Sequence, residues 1–368
     1  MKDAIQLTIG TYTQGSDPAR GIVRAVLAAD GSSIAALGAV TPFADPSWVV
    51  RSPDGRRVYA VSEGAEGEVA AFATAAGRGA DAGAGEVADA GAEPAPLTPL
   101  SLHATRGAEP CHASLIGGGT HLAVANYGTG SLSVHPIGPD GEVGAQSQLV
   151  QHAGVGPDGG RQAGPHAHMV TEDPAGRYVL AVDLGADSIF GYELDAQAGK
   201  LTRVAQSRFR PGFGPRHLAF HPGGELAYVI GELGFAVATC RYDAARGELS
   251  VLGEVPVLED GVPGEDFPSG IRIAPDGRHL YTANRGRDTL CVFSLVADAA
   301  KPELVATVRT GAAWPRDIAL APDGTLLLSA NEHGGCITVF RLDPETGIPH
   351  PTGARLDVPA PTCLVMAQ

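Results

Sequence analysis

The sequence lacks the markers of several common protein classes. Its five cysteines are odd in number and include no CxxC pair, so neither a disulfide framework nor a zinc site is indicated. Basic residues number 26 against 41 acidic ones, and the formal net charge of −15 argues against nucleic acid or an anionic membrane as the main partner. No apolar run is long enough for a membrane span, and the first ten residues lack the pattern of a secretory leader. From these absences we expect a cytoplasmic protein.

Glycine and proline are abundant instead. The 368 residues contain 50 Gly and 28 Pro, which favours many short strands joined by turns over long helices. The strands recur in a repeat that runs from a starting proline through an apolar strand, a PDG-like turn and a second apolar strand to a polar pair and a glycine. The repeat occurs at 46–64, 110–128, 167–185, 215–234, 268–286 and 315–334, and a seventh copy begins at residue 361.

The repeat predicts an all-β fold, a seven-bladed β-propeller with four antiparallel strands per blade. A third alternating strand follows each polar pair, and a fourth often follows that one. N-terminal strands within 5–40 should complete the last blade by pairing with the C-terminal segment 362–367, which closes the ring and hides both sheet edges. We expect one domain over residues 1–368, with 77–96 as a flexible loop because it is poor in aromatic and branched residues.

Residues at equal repeat positions should form rings around the central channel. The position after the starting proline is followed, sixteen residues later, by one at the end of the second strand. Because those two strands form a hairpin, both rings are expected at the same channel mouth. The first ring contains Ser47, Cys111, His168, Arg216, Ser269, Arg316 and Thr362, and the second contains Glu63, Tyr127, Leu184, Glu232, Arg285 and Glu332, with Thr11 as the N-terminal counterpart.

The two rings would gather charged groups at the mouth. One imidazole, three guanidiniums and three carboxylates are typical of sites that bind anionic, oxygen-rich ligands or transfer protons. His166 is expected near the rim, and the segment 152–165, which contains Arg161, should lie over the same face. A metal held by His166 and His168 is not expected, because no third ligand stands at a matching position. Cys111 is expected to be packed. The residues alone leave catalysis, binding and a scaffold role open.

Longer motifs carry a resemblance to a known family. They include IGTYT (9–13), RQAGPHAH (161–168), GPRHLAFHP (214–222), ANRGRDT (283–289) and FRLDPETG (340–347). Over essentially the whole chain, these resemble the lactonase family of seven-bladed propellers, which includes bacterial 6-phosphogluconolactonases and the fungal carboxy-cis,cis-muconate cyclase. The resemblance implies catalytic groups that fall on His168, Arg216, Glu232 and Arg285. The chain departs from the usual family pattern at Gly231, Arg287 and Glu332, where Asn, His and Gln are common.

The resemblance implies a lactone hydrolase that works without a metal or another cofactor. The leading substrate is 6-phosphogluconolactone or a related sugar-type lactone, a small anionic molecule. One alternative is a cycloisomerase of an unsaturated dicarboxylate that uses the same arginines, and another is a non-catalytic ligand-binding propeller. The closed ring is expected to be a monomer or a weak homo-oligomer. The residues expected to help bind the substrate are His166, Arg316, Glu332, Glu63, Tyr127 and Arg161.

Overall fold

Strands make up the regular secondary structure of the residues that the structure describes. A computed structural model describes residues 4–13, 21–40, 43–74, 97–258, 261–262 and 265–367. In those ranges 28 strands form seven four-stranded antiparallel sheets, which confirms the predicted propeller. The same ranges contain no helix with the length and apolar character needed to cross a membrane. The predicted loop over 77–96 lies outside the described residues.

The strands follow the chain blade by blade. Those of the first half are β1 Ile5–Thr11, β2 Ile22–Leu27, β3 Ile34–Val40, β4 Trp48–Arg51, β5 Arg57–Ser62, β6 Glu68–Ala73, β7 Thr98–Ala104, β8 Pro110–Ile116, β9 His121–Asn126, β10 Ser131–Pro136, β11 Gln148–Gln151, β12 Ala167–Glu172, β13 Tyr178–Asp183 and β14 Ser188–Asp195. Those of the second half are β15 Lys200–Arg208, β16 Pro215–Phe220, β17 Leu226–Gly231, β18 Ala236–Asp243, β19 Glu248–Pro256, β20 Phe267–Ile273, β21 His279–Arg285, β22 Thr289–Ser294, β23 Glu303–Arg309, β24 Pro315–Leu320, β25 Leu326–Asn331, β26 Cys336–Leu342, β27 Pro349–Asp357 and β28 Pro361–Met366.

The ring closes between the two ends of the chain, as predicted. The last sheet has the order β28-β1-β2-β3, so the C-terminal strand is the innermost strand of a blade whose other strands are N-terminal. The register pairs Leu7 with Met366 and Ile9 with Leu364. Ladder hydrogen bonds between the ends leave neither terminal strand as an open edge.

The hydrophobic core lies between neighbouring blades. Seven apolar clusters are each built from two adjacent sheets, and one of them packs Leu7 and Ile9 of β1 against Leu326 and Leu328 of β25. Strand β13 is buried throughout because both of its faces meet a neighbouring sheet. The outermost strand β23 contains only exposed and half-buried residues. The core therefore forms a continuous ring that holds the inner strands rigidly around the channel.

Candidate active site at one channel mouth

β-Bulges direct the first-ring side chains toward the channel. In β16, Pro215 pairs with Gly231 and the next paired residue is His217, so Arg216 is an extra residue without a partner in β17. The same irregularity occurs in four other innermost strands, and a bulge of this kind re-aims the side chain of the extra residue. The extra residues there are Cys111, His168, Arg316 and Thr362.

Backbone hydrogen bonds bring the second ring to the same end of the strands. The N–H of Glu232 donates to the carbonyl of Gly214 at 2.9 Å, and the N–H of Glu332 donates to that of Trp314 at 2.9 Å. Each acceptor is the residue before the repeat's starting proline, so the two rings lie beside each other. Trp314 has a φ of 65°, a left-handed conformation that is costly for a non-glycine residue and is often found at functional sites. The predicted meeting of the two rings at one mouth is confirmed.

One ring position differs from the prediction. The N–H of Tyr12 donates to the carbonyl of Ala360 at 3.0 Å. Ala360 precedes the starting proline of its repeat, so this bond is the equivalent of those that Glu232 and Glu332 donate. Thr11 is buried, and its hydroxyl oxygen lies 2.8 Å from the carbonyl oxygen of Gly21. Tyr12 therefore takes the place that the sequence assigned to Thr11, because the sixteen-residue step cannot be counted across the two chain ends.

Glu232 joins three arginines into what we call the arginine cluster. Its Oε1 lies 2.6 Å from Nη2 of Arg161, and its Oε2 lies 2.7 Å from Nη2 of Arg285 and 3.1 Å from Nε of Arg216. Arg161 also donates to the hydroxyl of Tyr127 at 3.2 Å, so the segment 152–165 does lie over this mouth as predicted. Three guanidiniums against one carboxylate leave the cluster net positive.

The charges in this cluster control one another's ionisation. Burial opposes the ionised form of Glu232, but Arg285, Arg216 and Arg161 outweigh it and hold the pKa of the carboxyl well below its usual range. Burial, and next the nearby Arg285, lowers the pKa of Arg216 to about 9, so this side chain still carries its charge at neutral pH. Glu232 is thus a permanently ionised anchor for the guanidiniums and is poorly suited to accept a proton.

Arg216 has hydrogen-bond donors to spare. Its side chain is only 3% exposed. Among the described residues, neither Nε nor Nη1 finds a hydrogen-bond partner, because the 3.1 Å contact from Nε to Glu232 lacks the alignment of a hydrogen bond. A buried donor without a partner costs free energy, and such groups at a concave site are poised to bind a ligand's oxygen atoms.

His168 lies beside Arg216 as a neutral imidazole. Burial, and after it the charge of Arg216, lowers the pKa of His168 well below its ordinary value. Its Nδ1 is 3.9 Å from Sγ of Cys111, and burial raises the pKa of that thiol. A protonated thiol is a poor nucleophile, in agreement with the expectation that Cys111 is packed. The imidazole is therefore unprotonated at neutral pH and has a nitrogen lone pair that can accept a proton, as a weaker base than an ordinary histidine.

His166 lies at the rim and is held there by a buried pair. Its ring stacks on Tyr127 at a centroid distance of 4.5 Å. Its backbone N–H donates to Oδ1 of Asp183 at 2.8 Å, and Oδ2 of the same carboxylate lies 2.6 Å from Nδ1 of His152. The buried Asp183 and His152 therefore fix the entry of the chain into β12.

A second charged group, here called the Arg316 cluster, contains Arg316, Glu63, Glu332 and Tyr12. Arg316 lies 3.3 Å from Oε2 of Glu332 and 3.8 Å from Oε1 of Glu63, and donates to the Tyr12 hydroxyl at 2.6 Å. Tyr12 in turn donates to Glu63 at 2.8 Å. Burial raises the pKa of Tyr12, which keeps its hydroxyl protonated. One guanidinium against two carboxylates leaves this cluster net negative.

Aromatic side chains that the two rings did not include complete the site. Phe267 and Trp314 lie near the guanidinium of Arg285, with ring centroids 5.4 and 5.7 Å from its Cζ. His217 lies below His168 with ring centroids 5.2 Å apart. All three are absent from the rings, because Phe267 and Trp314 precede a repeat's proline and His217 follows the bulged residue. The parts of the chain described here bring together no group of three or more His, Cys, Asp or Glu that could hold a metal ion.

The three departures from the family pattern have separate structural settings. A Cβ at Gly231 would lie 2.7 Å from Cε2 of the Phe213 ring, so that ring fills the space a side chain at 231 would need. Arg287 lies 3.2 Å from Asp266, and its side chain is 37% exposed. Glu332 pairs with Arg316, and its charge also acts on Arg285 of the arginine cluster, although more weakly than that of Glu232.

Comparisons with known proteins agree with this architecture. The family described as "Lactonase, 7-bladed beta-propeller" matches residues 6–366. The chain is 32% identical to the 6-phosphogluconolactonase of Bacillus subtilis (strain 168), over 97% of this chain and 96% of that protein.

Solved structures show the same likeness. The periplasmic gluconolactonase of Pseudomonas aeruginosa has a TM-score of 0.87 and 29% identity, over 100% of this chain and 99% of that one. A protein of Lactobacillus plantarum has a TM-score of 0.87 and 26% identity, over 100% of both chains.

Proposed function

Because the chain belongs to the lactonase family of seven-bladed β-propellers, we propose that it hydrolyses 6-phosphogluconolactone or a closely related sugar-type lactone at this mouth, without a metal. The relative from Bacillus subtilis carries the name of that activity. The observation that supports the proposal most is the buried guanidinium of Arg216, whose Nε and Nη1 lack partners among the described residues, next to the neutral imidazole of His168.

The mechanism uses His168 as general base and Arg216 as the group that stabilises charge. His168 takes a proton from water while the water oxygen bonds to the lactone carbonyl carbon. The carbonyl oxygen becomes an oxyanion and accepts hydrogen bonds from Nε and Nη1 of Arg216. Collapse of this intermediate breaks the ring C–O bond, and the imidazolium returns its proton to the leaving alkoxide. The product is the open hydroxy acid, one water heavier than the lactone.

The other guanidiniums of the arginine cluster suit the anionic group of the substrate. Arg161 is 33% exposed at the rim, and Arg285 lies deeper, so an entering phosphate or carboxylate meets positive charge at both depths. Glu232 keeps the guanidiniums in place with fixed geometry, which favours bidentate binding of such a group.

The test follows the loss of freshly made 6-phosphogluconolactone above its spontaneous rate, with and without EDTA. Arg216→Ala should lower kcat/KM by at least about tenfold, since loss of one oxyanion donor typically has a large effect. Arg246→Ala is the matched control, because that arginine is 73% exposed and far from the cluster in the fold. Turnover equal to wild type in a folded Arg216→Ala protein would contradict the proposal, as would turnover abolished by EDTA. A product of unchanged mass would indicate cycloisomerisation instead.

A further inference from the structure

The two charged clusters divide the mouth into halves. The arginine cluster comes from three consecutive blades, those of β12–β15, β16–β19 and β20–β23, with Arg161 from the segment leading into β12. The Arg316 cluster comes from the next three, those of β24–β27, β28 with β1–β3, and β4–β7. The sides of the mouth therefore present opposite net charge to one ligand.

The guanidinium of Arg316, in the half with net negative charge, is already paired with groups of the protein. Arg316 contacts both carboxylates of its cluster and the Tyr12 hydroxyl, so little of its charge is left for a ligand's anion. Carboxylate oxygens accept hydrogen bonds and cannot donate them. Glu332 has Oε2 on Arg316, while its Oε1 lies 3.6 Å from Nε2 of His333, too far for a hydrogen bond. This half is therefore chemically suited to O–H donors.

We propose that the Arg316 cluster is a subsite for the neutral hydroxyl groups of the ligand and that it excludes a second anionic group. The inference rests on the proposed function and deepens it, because the substrate then carries its anion at one end and hydroxyl groups at the other. A second phosphate or carboxylate in this half would lie against two carboxylates whose arginine partner is already paired, and like charges in a partly buried site repel strongly.

Glu332 is the residue that makes this half selective in the present chain. The resemblance to the family places Gln at this position, and Gln would keep an oxygen acceptor while removing the negative charge. The substitution Glu332→Gln therefore separates hydroxyl recognition from anion exclusion. Glu63→Gln does the same on the opposite side of Arg316, from which Oε1 is 3.8 Å away.

The experiment measures calorimetric binding of two non-reacting ligands, glucitol 6-phosphate and glucitol 1,6-bisphosphate. They share one carbon chain and differ only in the second anion. The wild-type protein should bind the monophosphate at least about tenfold more tightly. Both Glu332→Gln and Glu63→Gln should bring this ratio toward one, whereas the control Glu303→Gln, at an exposed position in β23, should leave it unchanged.

Three results would overturn the subsite. The first is that wild type binds the bisphosphate as tightly as the monophosphate or more tightly, and the second is that the ratio of the two affinities is unchanged in both variants. The third is that neither ligand binds. Lactone hydrolysis is assayed in parallel on the same preparations. If the ratio behaves as expected and no lactone is hydrolysed, the subsite stands and the proposed function fails. If the lactone is hydrolysed but the ratio of the two affinities does not behave as expected, the subsite alone fails.

Discussion

Arg216 and Arg316 occupy the same position in two repeats, and each is the extra residue of a β-bulge, yet their surroundings differ. Arg216 shares Glu232 with two other guanidiniums, and burial lowers its pKa to about 9. Burial also opposes the charge of Arg316, but two carboxylates and the Tyr12 oxygen raise its pKa above the usual range. Equal repeat positions therefore do not imply equal roles. Arg216 keeps donors for a ligand, whereas Arg316 commits its donors to the protein.

Replacement of each arginine by methionine should separate the two roles most clearly. Arg216→Met should lower kcat/KM by about 100-fold or more, since it removes the oxyanion donors. Arg316→Met should lower the free energy of unfolding by about 3 kcal/mol, since it leaves two mostly buried carboxylates without a cation. Its kcat/KM should fall by less than about tenfold. Lactone hydrolysis and urea unfolding of both variants measure the contrast, and equal losses of activity in the two would contradict the division of roles.

The pH dependence of stability should have opposite sign for Glu232 of the arginine cluster and Glu63 of the Arg316 cluster. The pKa of Glu232 is depressed, so its stabilising effect is full above the unfolded value of about 4.3 and is lost as pH falls below it. Burial raises the pKa of Glu63, so its ionisation destabilises the fold as pH rises above about 4.3.

Urea unfolding of wild type, Glu232→Gln and Glu63→Gln between about pH 3 and pH 7 tests this contrast. The advantage of wild type over Glu232→Gln should shrink on acidification by on the order of 1 kcal/mol or more. The advantage over Glu63→Gln should instead grow. If the stability difference from wild type changed with pH in the same direction for both variants, the two carboxyl groups would not have opposite effects on the pH dependence of stability.

The repeat made the fold and most of the site predictable. A fixed sixteen-residue step placed Glu232 and Arg285 at the mouth, and hairpin geometry brought His168 and Arg216 to the same end. The β-bulges leave no mark in the composition of the strands, since the bulged residues range from Cys111 to arginine.

The pairs within one blade follow from the sixteen-residue step, which separates Arg216 from Glu232 and Arg316 from Glu332. The contacts between blades could not be predicted, because the order of blades around the ring decides that Glu232 also meets Arg285 and that Arg316 also meets Glu63. Tyr12 was missed because its counterpart strand, β28, lies at the other end of the chain.

The smallest difference between the halves concerns the residue before the second-ring glutamate, which is Gly231 in one and Asn331 in the other. Asn331 has room, and its amide donates to the backbone oxygen of Ser329 at 3.1 Å. At Gly231, a Cβ would lie 2.7 Å from both Cε2 and the backbone oxygen of Phe213. Gly231→Asn should therefore lower the free energy of unfolding by about 1–3 kcal/mol, because a crowded core cannot absorb the extra atoms.

Urea unfolding of three further proteins distinguishes this packing effect from a general cost of Asn in a strand. Gly253→Asn is the matched control, since a Cβ there meets no described atom within 4 Å, and it should cost less. Phe213→Ala has its own cavity cost. In the double variant, removal of the Phe213 ring should restore part of the free energy of unfolding that Gly231→Asn loses. The restoration should be only partial, because the backbone carbonyl of residue 213 remains. Strict additivity of the two substitutions would show that the ring of Phe213 is not what excludes a side chain beside Glu232.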